Sequence, residues 1–118
     1  MKAFIIAVIL FFILLFIIIA NSVYLHSTCN ELNDLLENMT VYDTEKASSF
    51  INIWKECRSV FSFSIHEDQL ERMDDLSEGL KSAVTENDSA EFKRYKTLLK
   101  ELLDEFLKNE EISFQSIF

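Results

Sequence analysis

The chain has 118 residues, 49% of them apolar, and a formal charge of −9 at pH 7. Lys2 is the only charged residue through Ala20, so the remainder carries ten basic and twenty acidic side chains, a net of −10. That surface repels phosphate backbones and anionic headgroups, which argues against a nucleic-acid partner, and the length leaves room for one small domain.

With no proline and a single glycine, Gly79, the chain has few strong breakers. Helix formers and helical spacing dominate its polar part, and β-alternation never persists. The fold class expected is all-α: an N-terminal transmembrane helix continuing into a small antiparallel bundle of about four helices, arranged as two stacked αα-hairpins.

Residues 1–20 form the candidate transmembrane anchor. Ala3 to Ala20 is a run of eighteen residues without a charge, amide or hydroxyl. At about 1.5 Å per residue it covers roughly 27 Å, close to the hydrocarbon thickness of a bilayer. A cleavable signal peptide, which would release a secreted helical protein, fits less well. The run exceeds a usual h-region, its basic n-region is Lys2 alone, and bulky Ile18 spoils a small-x-small site ending at Ala20. A buried core helix would be less uniformly apolar. Lys2 and the terminal amine precede the run, and Asn21 to Asn30 contains no Lys or Arg. The positive-inside rule then puts the N-terminus in the cytoplasm and residues 21–118, the acidic domain, outside the cell membrane.

From Asn21 to about Thr40 the helix is expected to continue, with Leu25, Cys29, Leu32, Leu36 and Met39 in one apolar stripe. Val41 to Thr44 breaks the pattern, and Asp43 or Thr44 can cap a second helix reaching to about Phe61. Its face carries Phe50, Trp54, Cys57 and Phe61, flanked by Ile51 and Ile53. After a turn at Ser62 to Ser64, the S-x-x-E spacing of Ser64 and Glu67 predicts a capping box opening a third helix. Leu70, Met73, Leu76, Leu80, Ala83 and Val84 line that helix to about Glu86. Asp88 and Glu91 offer the same reciprocal cap to a fourth, whose wide face holds Phe92, Tyr95, Leu98, Leu99, Leu102, Leu103, Phe106 and Leu107. The tail is apolar at Ile112, Phe114, Ile117 and Phe118, and is expected to fold back or to act as a docking segment. A spacing of forty-five residues relates Asp43 to Asp88, Thr44 to Ser89, Phe50 to Tyr95 and Phe61 to Phe106, as in two stacked helical hairpins.

Cys29 and Cys57 lie equally far from Asp43 along the chain, so an antiparallel hairpin sets them at one height on facing stripes. They read either as two small core residues or as a disulfide formed on the oxidising side of the membrane. Neither has the basic neighbours of a catalytic thiolate. His66, Glu67 and Asp68, with Glu71 one turn on, make the densest set of metal-ligand types. Acids in a first helical turn also complement the helix dipole without any metal. Asp74, Asp75 and Glu78 read as a solvated polar face. Trp54, Phe50 and Phe61 read as core rather than as a ligand groove. Asn38-Met39-Thr40 and Asn87-Asp88-Ser89 match the glycosylation pattern.

Lys2, Trp54, the run Ile65-His66-Glu67-Asp68 with Glu71, and the tail from Ile112 to Phe118 together resemble the small bacterial membrane-anchored proteins of domain-of-unknown-function family 4363. The resemblance implies an N-terminal anchor and an extracytoplasmic helical domain, and it brings no activity, cofactor or catalytic residue. The paired cysteines are not part of it. The function expected is therefore a non-enzymatic interaction or accessory module for another membrane or envelope protein, with no cofactor. A ligand- or metal-sensing domain using His66, Glu67 and Asp68 is the alternative. Whether the chain forms homo-oligomers is not legible in its sequence.

Overall fold

The computed structural model describes the backbone of residues 1–117 and the side chains of residues 1–108. The described chain is helical, with α1 at Lys2–Asn38, α2 at Thr44–Phe61, α3 at Glu67–Thr85 and α4 at Ser89–Ile117. The helices run alternately up and down. Each of α1·α2, α2·α3, α3·α4 and α1·α4 is in contact, so the four close into a ring. The molecule is 66 Å long and about 23 Å across. That length comes largely from α1, whose 37 residues extend about 55 Å at the standard helical rise.

Each connection is built by particular backbone groups. After Asn38, the Thr40 N–H and hydroxyl donate to Asp43 Oδ2 at 2.7 and 3.1 Å, while the Asp43 N–H returns to the Thr40 carbonyl at 3.0 Å. Asp43 is the N-cap residue of α2 by position, yet its carboxylate closes the turn behind it and makes no cap bond. The cap expected of Asp43 or Thr44 is thus replaced by a tighter local competitor. Lys46 reaches back to donate to the Asn38 carbonyl at 2.9 Å, serving an orphan acceptor at the end of α1.

Between α2 and α3 the Phe61 carbonyl accepts from Ser64 N at 3.0 Å and Ile65 N at 2.9 Å, and Ile65 is buried. The capping box expected at Ser64 does not form. The N-cap is His66, without a side-chain bond, and Ser64 Oγ instead accepts from Asn21 Nδ2 at 2.8 Å. The helix starts two residues later than that box requires, leaving Glu67 and Asp68 in its first turn, where they favour the dipole.

The α3–α4 link is a Schellman motif. Asn87 takes a left-handed φ of 56°, its N–H donates to the Val84 carbonyl at 3.2 Å, and the Asp88 N–H donates to the Ala83 carbonyl at 2.9 Å. Asp88 Oδ1 then accepts the Glu91 N–H at 3.1 Å and caps α4. The reciprocal half of that box is missing because the Glu91 carboxylate pairs with Arg94 at 2.8 Å.

The apolar stripes all turn inward. Leu25, Cys29, Leu32 and Leu36 from α1 meet Phe50, Trp54 and Phe61 from α2, Leu70, Met73 and Leu80 from α3, and Leu99, Leu102 and Phe106 from α4. Trp54, Phe61 and Phe106 fill the middle. Trp54 sits edge-on to Phe61 at 5.5 Å and stacks on Phe106 at 6.4 Å, with Phe61 and Phe106 edge-to-face at 6.1 Å. Burying each such ring stabilises the fold by about 1.5–3 kcal/mol. Phe61 and Phe106 are also partners in the forty-five-residue echo, and α2 and α4 begin at its partners Thr44 and Ser89. The two hairpins therefore contribute equivalent residues to one core layer. Gly79 lies under the Tyr95 ring, where a Cβ would overlap it, and so permits the close approach of α3 and α4.

Candidate functional site

The most unusual surface is on α1. Its first half is long and apolar enough to cross a membrane, and none of that window is buried against the bundle. Phe4, Ile5, Leu10, Phe12, Leu14, Phe16 and Ile17 are each more than half exposed. The helix then passes without a turn into the core, whose first buried residue on α1 is Leu25. In water so much apolar surface in one stripe-free rod would be strongly unfavourable. This is a surface suited to lipid.

The best-organised polar constellation joins α2 to α3. Trp54 Nε1 donates to Asp74 Oδ1 at 2.6 Å, and Arg58 Nε lies 3.1 and 3.0 Å from the two Asp74 oxygens. Arg58 Nη2 continues to Glu67 Oε1 at 3.1 Å. The bonds to Glu67 and Asp74 hold the Arg58 guanidinium above its ordinary pKa. Asp74 was expected on a solvated face with Asp75 and Glu78. Those two are exposed, but Asp74 is half-buried and fully engaged. The arrangement is a clamp between two helices: it satisfies a buried indole N–H and offers no unpaired nucleophile or acid.

The first-turn acids do not converge. His66, Glu67, Asp68 and Glu71 are all exposed, Glu67 is taken by Arg58, and the described residues contain no group of three or more His, Cys, Asp or Glu placed to hold a metal. Cys29 and Cys57 are both buried and are free thiols. Burial pushes each thiol up to about 12, and in Cys29 the proximity of Cys57 adds to the shift. The Cys57 thiol donates to the Trp54 carbonyl at 3.4 Å. Both cysteines belong to the buried core cluster.

Among the described residues, open grooves flank α1 on two sides. One of about 660 Å³ runs along α2 past Glu31, Asp34, Lys46 and Ile53, and one of about 300 Å³ runs along α4 past Asn30, Asn33, Lys100 and Asp104. On the α4 side, Lys100 pairs with Glu37 and holds its carboxyl below the usual range. The docking residues proposed in the tail, Ile112, Phe114, Ile117 and Phe118, lie outside the described side chains, although α4 itself runs to Ile117.

Comparison with family models, curated proteins and solved structures finds no match to this chain.

Two features of the fold are not set by helical spacing alone. The Arg58 clamp was signalled by donors Trp54 and Arg58 four apart on α2, opposite acceptors Glu67 and Asp74 seven apart on α3. The other is Phe63, an aromatic residue between the helical stripes that is 84% exposed.

Proposed function

We propose that this protein is a single-pass membrane-anchored interaction module without enzymatic activity. The observation that carries the proposal is the continuity of α1, which is exposed and apolar through Ile19 and enters the bundle core at Leu25 with no intervening turn. With no proline or glycine in α1 to kink it, the helix couples the orientation of the bundle to that of the span. The chain has Lys2 ahead of the span and no Lys or Arg after it until Lys46, which supports a cytoplasmic N-terminus and a bundle on the outer face. The family resemblance adds the same topology and no activity. The partner class is another membrane or envelope protein. The tail from Ile112 to Phe118 is the candidate docking segment.

Crosslinking the tagged protein in its native membrane, followed by mild extraction, tests this reading. One near-stoichiometric membrane protein, lost when residues 112–118 are deleted, is the expected result. Self-crosslinks alone, or nothing specific, would contradict it.

A further inference from the structure

We propose that the α2–α3 loop is a second membrane contact: Phe63 enters the lipid headgroup zone and, with Val23 and Tyr24, seats the bundle on the bilayer surface. The inference rests on the anchor reading of α1. Beyond the span, the described residues expose four large hydrophobic side chains, Val23 at 63%, Tyr24 at 41%, Tyr42 at 77% and Phe63 at 84%. Tyr42 sits in the α1–α2 turn at the far end. The other three gather at the end where α1 leaves the bundle.

Their height matches the bilayer. Ser64 Oγ accepts from Asn21 Nδ2 at 2.8 Å, so the loop is pinned level with the first polar residue after the span. Tyr24 lies four residues beyond Ala20, about 6 Å along the helix. The headgroup layer on each face is itself on the order of 5–7 Å thick. With Ala20 at the hydrocarbon edge, Val23, Tyr24 and Phe63 all fall within that layer, the depth at which Tyr concentrates and at which an apolar Phe side chain can dip into the acyl boundary.

The charge pattern agrees. In a domain of net −10, Ser59 to Ile65 contains no formal charge, nor does Ile19 to Leu25. The acids Glu67 and Asp68 begin only in the first turn of α3. The two segments that carry Val23, Tyr24 and Phe63 are thus themselves free of charge, although the module as a whole is acidic. A lipid occupant is favoured over a protein because this end is continuous with the exposed span and lies at its exit.

The test uses the full chain in phosphatidylcholine vesicles, with an environment-sensitive fluorophore on one introduced thiol at a time. Native Cys29 and Cys57 are 0% and 1% exposed and stay unlabelled in the folded state. Ser62→Cys probes the loop, Tyr42→Cys the far end and Phe12→Cys the span. A nitroxide on the lipid headgroup is expected to remove most of the emission at position 62 and little at 42, and adding Phe63→Ser is expected to weaken the loop's quenching. Because Phe63 is exposed, that variant still folds. A loop probe quenched only by aqueous iodide, like position 42, would overturn the proposal and leave this surface to a protein partner. Quenching unchanged in Phe63→Ser would overturn the role of that ring. A probe at position 12 that a deep acyl-chain nitroxide fails to quench would instead overturn the anchor reading itself.

Discussion

Asp74 separates two classes of acidic residue that composition alone cannot tell apart. It accepts from a buried indole and from Arg58, whereas Asp75 beside it is exposed. Asp74→Ala leaves the Trp54 N–H without its partner, so urea unfolding of the variant is expected to show a loss of about 1–3 kcal/mol. Asp75→Ala is expected to stay within about 0.5 kcal/mol. The cysteines make a second prediction. Their thiols are raised from an ordinary value of 9.0 to about 12, so an unfolded chain ionises them first. The thiols' contribution to stability is complete below pH 9 and is lost as pH rises through 12, which denaturant titrations across that window will record. A mass tag on unreduced protein is expected to label both thiols after denaturation and neither before it. Asp43 has the opposite sign. The Thr40 N–H bond lowers its pKa, and that stabilisation is present above the ordinary carboxylate range and fades as pH falls.

At the scale of elements, the caps can be ranked by experiment. Asp88→Ala removes a cap seen to bind the Glu91 N–H and is expected to cost about 1 kcal/mol. Ser64→Ala removes only an exposed bond to Asn21, so its effect on the melting temperature is expected to be smaller. The contrast explains what the sequence can convey. Four helices and nearly every core residue were legible because the 3.6-residue stripe at Leu25 to Leu36, Phe50 to Phe61, Leu70 to Val84 and Phe92 to Leu107 repeats many times in each element. A cap depends on one or two atoms. S-x-x-E at Ser64 was matched by spacing, but the buried Ile65 and the Phe61 carbonyl held the chain in a turn for longer. The Arg58 clamp needed the helix pairing to be known, since its acceptors lie nine and sixteen residues away.

The whole molecule is a rod whose exposed surface changes from apolar to polar along its length. Its bundle half hides its apolar residues in a ring of four helices, while its span half exposes them on every side. One helix belongs to both halves. For the proposed anchor this makes the junction from Ala20 to Leu25 the decisive segment, because a flexible joint there would uncouple the bundle's orientation from that of the span and undo the proposed seating of Phe63. Amide hydrogen exchange of the full chain in phosphatidylcholine nanodiscs measures it directly. The account predicts slow exchange running without a break from the span through Asn21–Tyr24 into Leu36. A fast-exchanging stretch between Ala20 and Leu25, or fast exchange across Phe4 to Ile19, would contradict it.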